Sequence, residues 1–505
     1  MPAAVRSALP AVSIVIVITG WLLSLSPDRL VLFFPDDAFF YLKIADHIRQ
    51  GLGSTFDGLN PTNGYHPLYM VMLAGLSFIT PLQGYAGVRA AFVFDTVLFL
   101  AFLVCVAAVA RRLGFSRTWT ITIPIACVPL AFVADYGMET NLVLLAAWAL
   151  LLVATTLGDT RQTALFGAIG ALLVLSRLDA VLLLGAMTVG VLWPQRDRPL
   201  RALAVDAAVM VAPAVLALVC FAAWNTYAYG SSATVSSVLK SGSPEVGRFL
   251  SNALVEMKSP ERFVILGAWL VSAVTLIYAT RRQTPGNILL GALALWHIGY
   301  VTILLLSLRG GIAEWYIALP FSFLPLMAAA LAADFVQRPR LVRLVATGIV
   351  IAGVSLTLLE VRFWLSRGWF FDDVRRMAAW ISSELPRSAH LYQVDHSGLV
   401  GYFADRSVIN GDGLVNSWAY QDALRDRTIP QYLTAHGVEY IVWNGYDGEA
   451  TIEIEVPRWR LPPLSLRVDA PKHVVRFGPI LLLRIDPSQL VVADLDCKRR
   501  IRRPC

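Results

Sequence analysis

Eleven apolar runs alternate with short loops, and every second loop is basic. The runs are residues 9–25, 88–110, 119–134, 141–157, 164–176, 180–193, 204–223, 263–280, 287–307, 315–333 and 341–365. A hydrocarbon layer of about 30 Å takes roughly 20 helical residues to cross. Inside lipid, only helices and closed barrels satisfy every backbone polar group. If the first run leads outward from a cytoplasmic N-terminus, the inner loops contain RRLGFSR, GDTRQ, PQRDRPLR, RRQT and QRPRLVR. All five are basic, as the positive-inside rule requires. The pattern predicts a polytopic α-helical membrane protein with about 11 transmembrane helices.

Composition agrees with this reading. Of 505 residues, 57% are hydrophobic and only 15% charged, against about 25% charged in soluble domains. The mean hydropathy is +0.62, and a soluble globular chain is excluded. The net charge of +7 sits largely in the short basic loops, where it sets orientation rather than calling for nucleic acid. Cys105, Cys127 and Cys220 lie in apolar runs and read as small hydrophobes. Cys497 and Cys505 flank a basic tail, CKRRIRRPC, read as a charged end. No CxxC or Cys/His metal spacing occurs. A cleaved signal peptide is the rival reading of the first run, but no small-residue cleavage site precedes Asp36.

The remaining polar segments all fall on the opposite, extracytoplasmic side: residues 26–87, the DYGMET and SRLD turns, residues 224–262, the RGG–EWY turn, and everything after Ser366. The expected division is a transmembrane domain, 1–366, and an extracytoplasmic α/β domain, 367–505. In the latter, FDDVRRMAAWISSEL has helical spacing, and HLYQV, EYIVW and PILLLRI read as strands.

The loop 26–87 carries the densest signals. Pro35 and Asp36 suit a helix start, where a carboxylate meets free N–H groups and the positive end of the dipole. Ala38, Tyr41, Leu42, Ala45 and Ile48 share a face, so this helix is expected along the membrane surface. An Asp-Asp pair at a helix start is ordinarily a cap and a solvated carboxylate. Here it follows a membrane helix directly, and carboxylates beside lipid are costly and usually functional. Neighbouring positions do not share a helix face, so one can cap while the other faces a cavity. His66-Pro67 leads into a short apolar helix placed at the membrane face.

PDDAFFYLKIADHI followed by TFDGLNPTNGYHPLY resembles the first outer loop of GT-C superfamily membrane glycosyltransferases, near bacterial mannosyl-, arabinosyl- and aminoarabinosyl-transferases. The GMET turn, the SRLDA turn and VINGDGLVN resemble recurrent segments of the same proteins. The resemblance implies a GT-C-like fold and an inverting transfer of a hexose or pentose from a polyprenyl phosphate. The acceptor would be a cell-envelope glycan, lipid or protein, and the enzyme would sit in the inner or plasma membrane. Such a transfer needs a base for the acceptor proton, for which Asp36 or Asp37 is the candidate. The anionic leaving group needs positive charge rather than an acid. Lys43, His66, Arg177, Lys240 and Arg309 are the candidates for that, and Tyr65, Glu139 and Asp179 for other substrate contacts. Each has a plainer reading. Lys43 can snorkel, His66 can bond to backbone, Arg177 can pair with Asp179, and Lys240 can be a solvated loop lysine.

No cofactor is expected. A divalent metal on Glu139, Asp179 and the first-loop pair is left open, although the resemblance to monophosphate-lipid enzymes implies metal independence and the WWD-type signature of oligosaccharyltransferases is missing. Asp395, His396 and Asp412 read as loop-shaping or acceptor-recognising residues. A sugar-lipid transporter is the alternative; it calls for internal repeats and polar groups at the bilayer midplane, and neither is apparent. A non-catalytic scaffold is a weaker third reading.

Overall fold

The computed structural model describes residues 2–133, 135–157, 160–241, 244–251, 259–308, 313–335, 338–366, 368–444, 451–457, 464–469 and 472–494. Arg309 and the tail with Cys497 and Cys505 lie outside them. Among the described residues, eight helices are long and apolar enough to cross a membrane. They are Ala3–Ser24, Gly84–Arg112, Leu178–Gln195, Leu200–Tyr229, Val264–Arg282, Pro285–Ser307, Glu314–Ala333 and Pro339–Ser366. The other three expected spans appear as shorter apolar helices, Arg117–Val133, Thr140–Ala154 and Thr160–Ser176. One of them is divided after Pro124, as expected where a proline removes a backbone donor. By length and composition, eight of the described helices qualify as spans, and the three shorter ones leave the count of eleven unconfirmed.

The helix expected along the membrane surface is Asp36–Arg49. It is buried on more than one side, with Ala38, Phe39, Phe40, Leu42, Ile44 and Ala45 at 3% exposure or less. The protein itself supplies the cover. Phe39 packs on Tyr402 and Phe403, and Phe40 meets Phe56 edge-on. Each such ring, fully buried, contributes about 1.5–3 kcal/mol. Gly51 and Gly53, both at positive φ, turn the chain out of the helix. The short helix expected after His66 spans Pro67–Ile79.

The C-terminal part begins with helix Gly368–Glu384. Its strands are β1 (His390–Gln393), β2 (Ser407–Asn410), β3 (Val438–Asn444), β4 (Thr451–Val456), β5 (Leu464–Asp469), β6 (Lys472–Phe477), β7 (Ile480–Arg484) and β8 (Val491–Asp494). One sheet has the order β2-β1-β3-β7-β6, and a second has β4-β5-β8. β1 pairs in parallel with both β2 and β3. Helix Ser397–Ala404 makes the β1–β2 crossover, and Trp418–Arg425 with Ile429–Ala435 make the next. In such sheets ligands gather beyond the carboxyl ends of parallel strands. Here those ends lead into Asp395-His396 and into Gly411–Val415.

Candidate functional site

One cavity of ≈ 280 Å³ collects most of the chemically distinctive side chains. Asp37, Tyr65, His66, Glu139, Arg177, Asp179 and Lys240 all line it, although they come from five separate stretches of chain. Three of the contacts are acid–base pairs. Lys240 Nζ lies 3.6 Å from Asp37 Oδ2, His66 Nε2 lies 3.4 Å from Glu139 Oε1, and Arg177 Nε lies 3.1 Å from Asp179 Oδ1. All three are longer than the 2.7–2.9 Å of a tight charge-assisted bond, the first two clearly so.

Neighbouring residues, several of them in the cavity lining themselves, hold these groups in place. Tyr41 Oη donates to Glu139 Oε2 at 3.1 Å and accepts from the His66 backbone N–H at 3.0 Å. Arg177 is 1% exposed. It donates to the Trp315 carbonyl at 2.8 Å and lies 4.6 Å above the Tyr316 ring. Asp179 accepts from Tyr300 at 2.7 Å. Helix Val235–Lys240 is fixed at its start, where Thr234 caps Ser237 and Asn63 Oδ1 accepts from Val235 N–H at 3.0 Å. The Ser/Thr-rich stretch before Lys240 is thus a tethered helix rather than a free loop.

The electrostatics follow from burial among mixed charges. Burial works against the Lys240 ammonium, but Tyr316, Asp37, Asp412 and Glu139 outweigh it, and its pKa is raised. Arg177 behaves likewise, with Asp179 the main compensating charge. Burial lowers the pKa of His66, with Glu139 opposing. His66 Nδ1 is buried without a hydrogen-bond partner among the described residues.

The acidic pair divides its labour. Asp37 faces the cavity. Asp36 turns the other way and accepts from Gly398 N–H at 3.0 Å and Leu399 N–H at 2.7 Å. It thereby caps helix Ser397–Ala404 of the C-terminal part. Burial, first, raises its pKa to about 6, with His396 and the two N–H groups opposing and Asp37 reinforcing. Lys43 also lies away from the cavity. It donates to the Gly401 carbonyl at 2.5 Å and the Arg406 carbonyl at 2.9 Å; burial lowers its pKa to about 8, opposed by Asp57 and Asp405. Both residues tie the first-loop helix to the C-terminal part.

Sequence reasoning missed Asp95. This carboxylate is 0% exposed within helix Gly84–Arg112. It accepts from Tyr69 Oη at 3.0 Å and Gly137 N–H at 2.6 Å. Gly137 has φ +82°, and a Cβ there would lie 2.6 Å from the Ala38 Cβ. Asp95 thus secures the turn that carries Glu139 against the helix that carries Asp37. A lone Asp inside an apolar run was the available signal. Tyr41, Tyr300, Trp315 and Tyr316 carried none. Among the described residues, no group of three or more His, Cys, Asp or Glu could hold a metal ion.

The chain has the fold of a multi-pass membrane protein, a bundle of apolar helices followed by a C-terminal α/β part, and solved structures share that fold. It is similar to the crystal structure of ArnT from Cupriavidus metallidurans in the apo state, with TM-score 0.55, 14% identity, and 93% of this chain and 99% of that one covered. ArnT bound to undecaprenyl phosphate aligns with TM-score 0.53 and 14% identity, over 92% and 98% of the two chains. An Archaeoglobus fulgidus oligosaccharyltransferase in complex with zinc and sulfate aligns more loosely, at TM-score 0.49 and 13% identity over 85% and 67%. A family model described as a domain of unknown function, DUF8728, matches residues 367–475. No curated protein matches the sequence.

Proposed function

We propose that this protein is an inverting glycosyltransferase that moves a sugar from a polyprenyl-phosphate donor to an acceptor at the extracytoplasmic face, with Asp37 as general base. The observation that carries this reading is the convergence of three acid–base pairs on one cavity. The same cavity has an apolar wall of Ile44, Ile303, Leu304 and Leu308, suited to the first isoprene units of a lipid. The similarity to ArnT, whose structure holds undecaprenyl phosphate, supports the donor class.

In this mechanism the donor phosphate competes with the carboxylates for Arg177, Lys240 and His66. Drawing Lys240 from Asp37 leaves Asp37 a stronger base, because an opposite charge nearby favours the ionised form. The acceptor oxygen then forms a bond to the anomeric carbon while the carbon–phosphate-oxygen bond breaks on the opposite face. Asp37 takes the acceptor proton. Polyprenyl phosphate departs as an anion held by Arg177 and Lys240, which needs no proton from an acid. Asp36, by anchoring helix Ser397–Ala404, is a positioning residue.

The test is reconstitution in liposomes with undecaprenyl-phosphate-linked hexoses and pentoses and a range of envelope acceptors. Acceptor-dependent release of undecaprenyl phosphate is expected. D37N should lower it by roughly 10²–10⁴-fold with an unchanged thermal midpoint. Undiminished transfer in D37N and D37A would end the base assignment. Passage of the sugar lipid across the bilayer with no sugar transferred would replace the enzyme with a transporter.

A further inference from the structure

The carboxyl edge of the C-terminal sheet forms part of the cavity wall. Leu414 and Val415, just beyond β2, line it beside Asp37 and Lys240. Leu414 also packs with Val235 and Leu239 of the Lys240 helix. Its carbonyl lies so close to Gly64 that a Cβ there would collide with it. Asp412 shapes this strip, its Oδ1 accepting from Leu414 N–H at 2.8 Å. It lies within electrostatic reach of Asp37, Lys240 and Asp36.

The charge count on this side is lopsided. The lining contains Asp37, Glu139 and Asp179 against Arg177 and Lys240, with the His66 pKa lowered. Asp36 and Asp412 add two carboxyls behind Asp37; burial raises their pKa values to about 6 and about 7, so at neutral pH Asp36 is mostly ionised and Asp412 carries part of a negative charge. A bound donor phosphate adds further negative charge and engages the cations. A second anion beside Asp412 would then meet like charge with no cation left to offset it, which is how sites reject wrong partners. Hydroxyl groups, in contrast, donate to carboxylates, and each carboxylate has several lone pairs to offer.

We propose that the strip Asp412–Val415 is the acceptor subsite, and that it selects a neutral, hydroxyl-rich acceptor over a phosphorylated one. This rests on the glycosyltransferase reading above and deepens it. Asp412 accepts a hydrogen bond from a hydroxyl next to the one being glycosylated, and Leu414 and Val415 carry the apolar face of the acceptor ring. Asp412 is a specificity residue. The proton of the reacting hydroxyl goes to Asp37.

The experiment compares neutral short-chain alkyl glycosides with their phosphomonoester counterparts as acceptors for the full-length protein in liposomes. The neutral compounds should be used at least about tenfold better, the equivalent of one charge-assisted hydrogen bond. D412N keeps an oxygen to accept from Leu414 N–H, so the turn survives. It should raise the acceptor KM about tenfold with the donor KM unchanged, a split that general loosening of the fold would not give. D412K should shift preference towards the phosphorylated set. Equal or better use of phosphorylated acceptors by the unaltered protein, or an unchanged ratio in both variants, would overturn the subsite while leaving sugar transfer intact. Absence of transfer to any acceptor would overturn both.

Discussion

The two ends of the helix bundle each carry a cavity, and the larger one is the less distinctive. At the end with the basic loops, a space of ≈ 890 Å³ opens among residues such as Ser116, Gln195, Thr284 and Asn287. Arg112 is the one Lys, Arg, Asp or Glu among its described lining residues. The cavity at the other end is about a third of that size, yet it gathers three carboxylates, two permanent cations and a histidine. Volume measures only how loosely helices splay. Ionisable groups beside lipid cost free energy to keep there, so their convergence marks where chemistry is expected.

The comparison breaks most sharply at Asp37, where the loss of transfer described above should exceed that of any other single change. Next in size is Arg177→Lys. Lysine keeps the charge but loses the planar fork that serves Asp179 and the Trp315 carbonyl together, so a reduction of about 10²-fold in kcat is expected, read in the same release assay. Gly64→Ala should follow. Its Cβ strikes backbone at Leu414, and the predicted result is a thermal midpoint several degrees lower, of the order of a 1–3 kcal/mol overpacking penalty.

Asp36→Asn is a smaller effect with a distinct signature. The Asp36 pKa is raised to about 6 from 3.8. Between about pH 4 and pH 6 the folded protein therefore holds a proton that the unfolded chain has lost, and stability falls as pH rises through that window. In D36N the thermal midpoint should vary less over the same window. Its transfer activity should fall far less than that of D37N. At the other end of the bundle, Gln195→Ala and Asn287→Ala should change transfer less than about twofold, as ordinary substitutions away from a site do. A large loss there would reverse the ranking of the two cavities.

The features legible in the sequence were those carried by pattern. Apolar runs, basic loops and the segregation of Asp37, His66, Glu139, Arg177, Asp179 and Lys240 to one set of segments could all be read along the chain. The structure brings those six together. What could not be read was direction and distance. Asp36 and Asp37 are adjacent, and nothing local says that one turns to a helix N-terminus more than 360 residues away. Lys43 was a phosphate candidate as a cation in the first outer loop, but the carbonyls of Gly401 and Arg406 hold it. The apolar face of the Asp36–Arg49 helix could be read from its spacing, but not that Tyr402 and Phe403, far along the chain, cover Phe39 on it. Asp95 was the one missed residue with a local signal.

The bond from Asp36 to the start of helix Ser397–Ala404 also has a bearing on biogenesis. Its partners stand 362 and 363 positions downstream, which a ribosome covers in on the order of 20–70 s. Throughout that interval the Asp36 carboxylate lacks the helix N-terminus that it meets in the folded protein. The end of the molecule that holds the candidate site is thus completed last, so a prematurely terminated chain would lack the contacts that finish it.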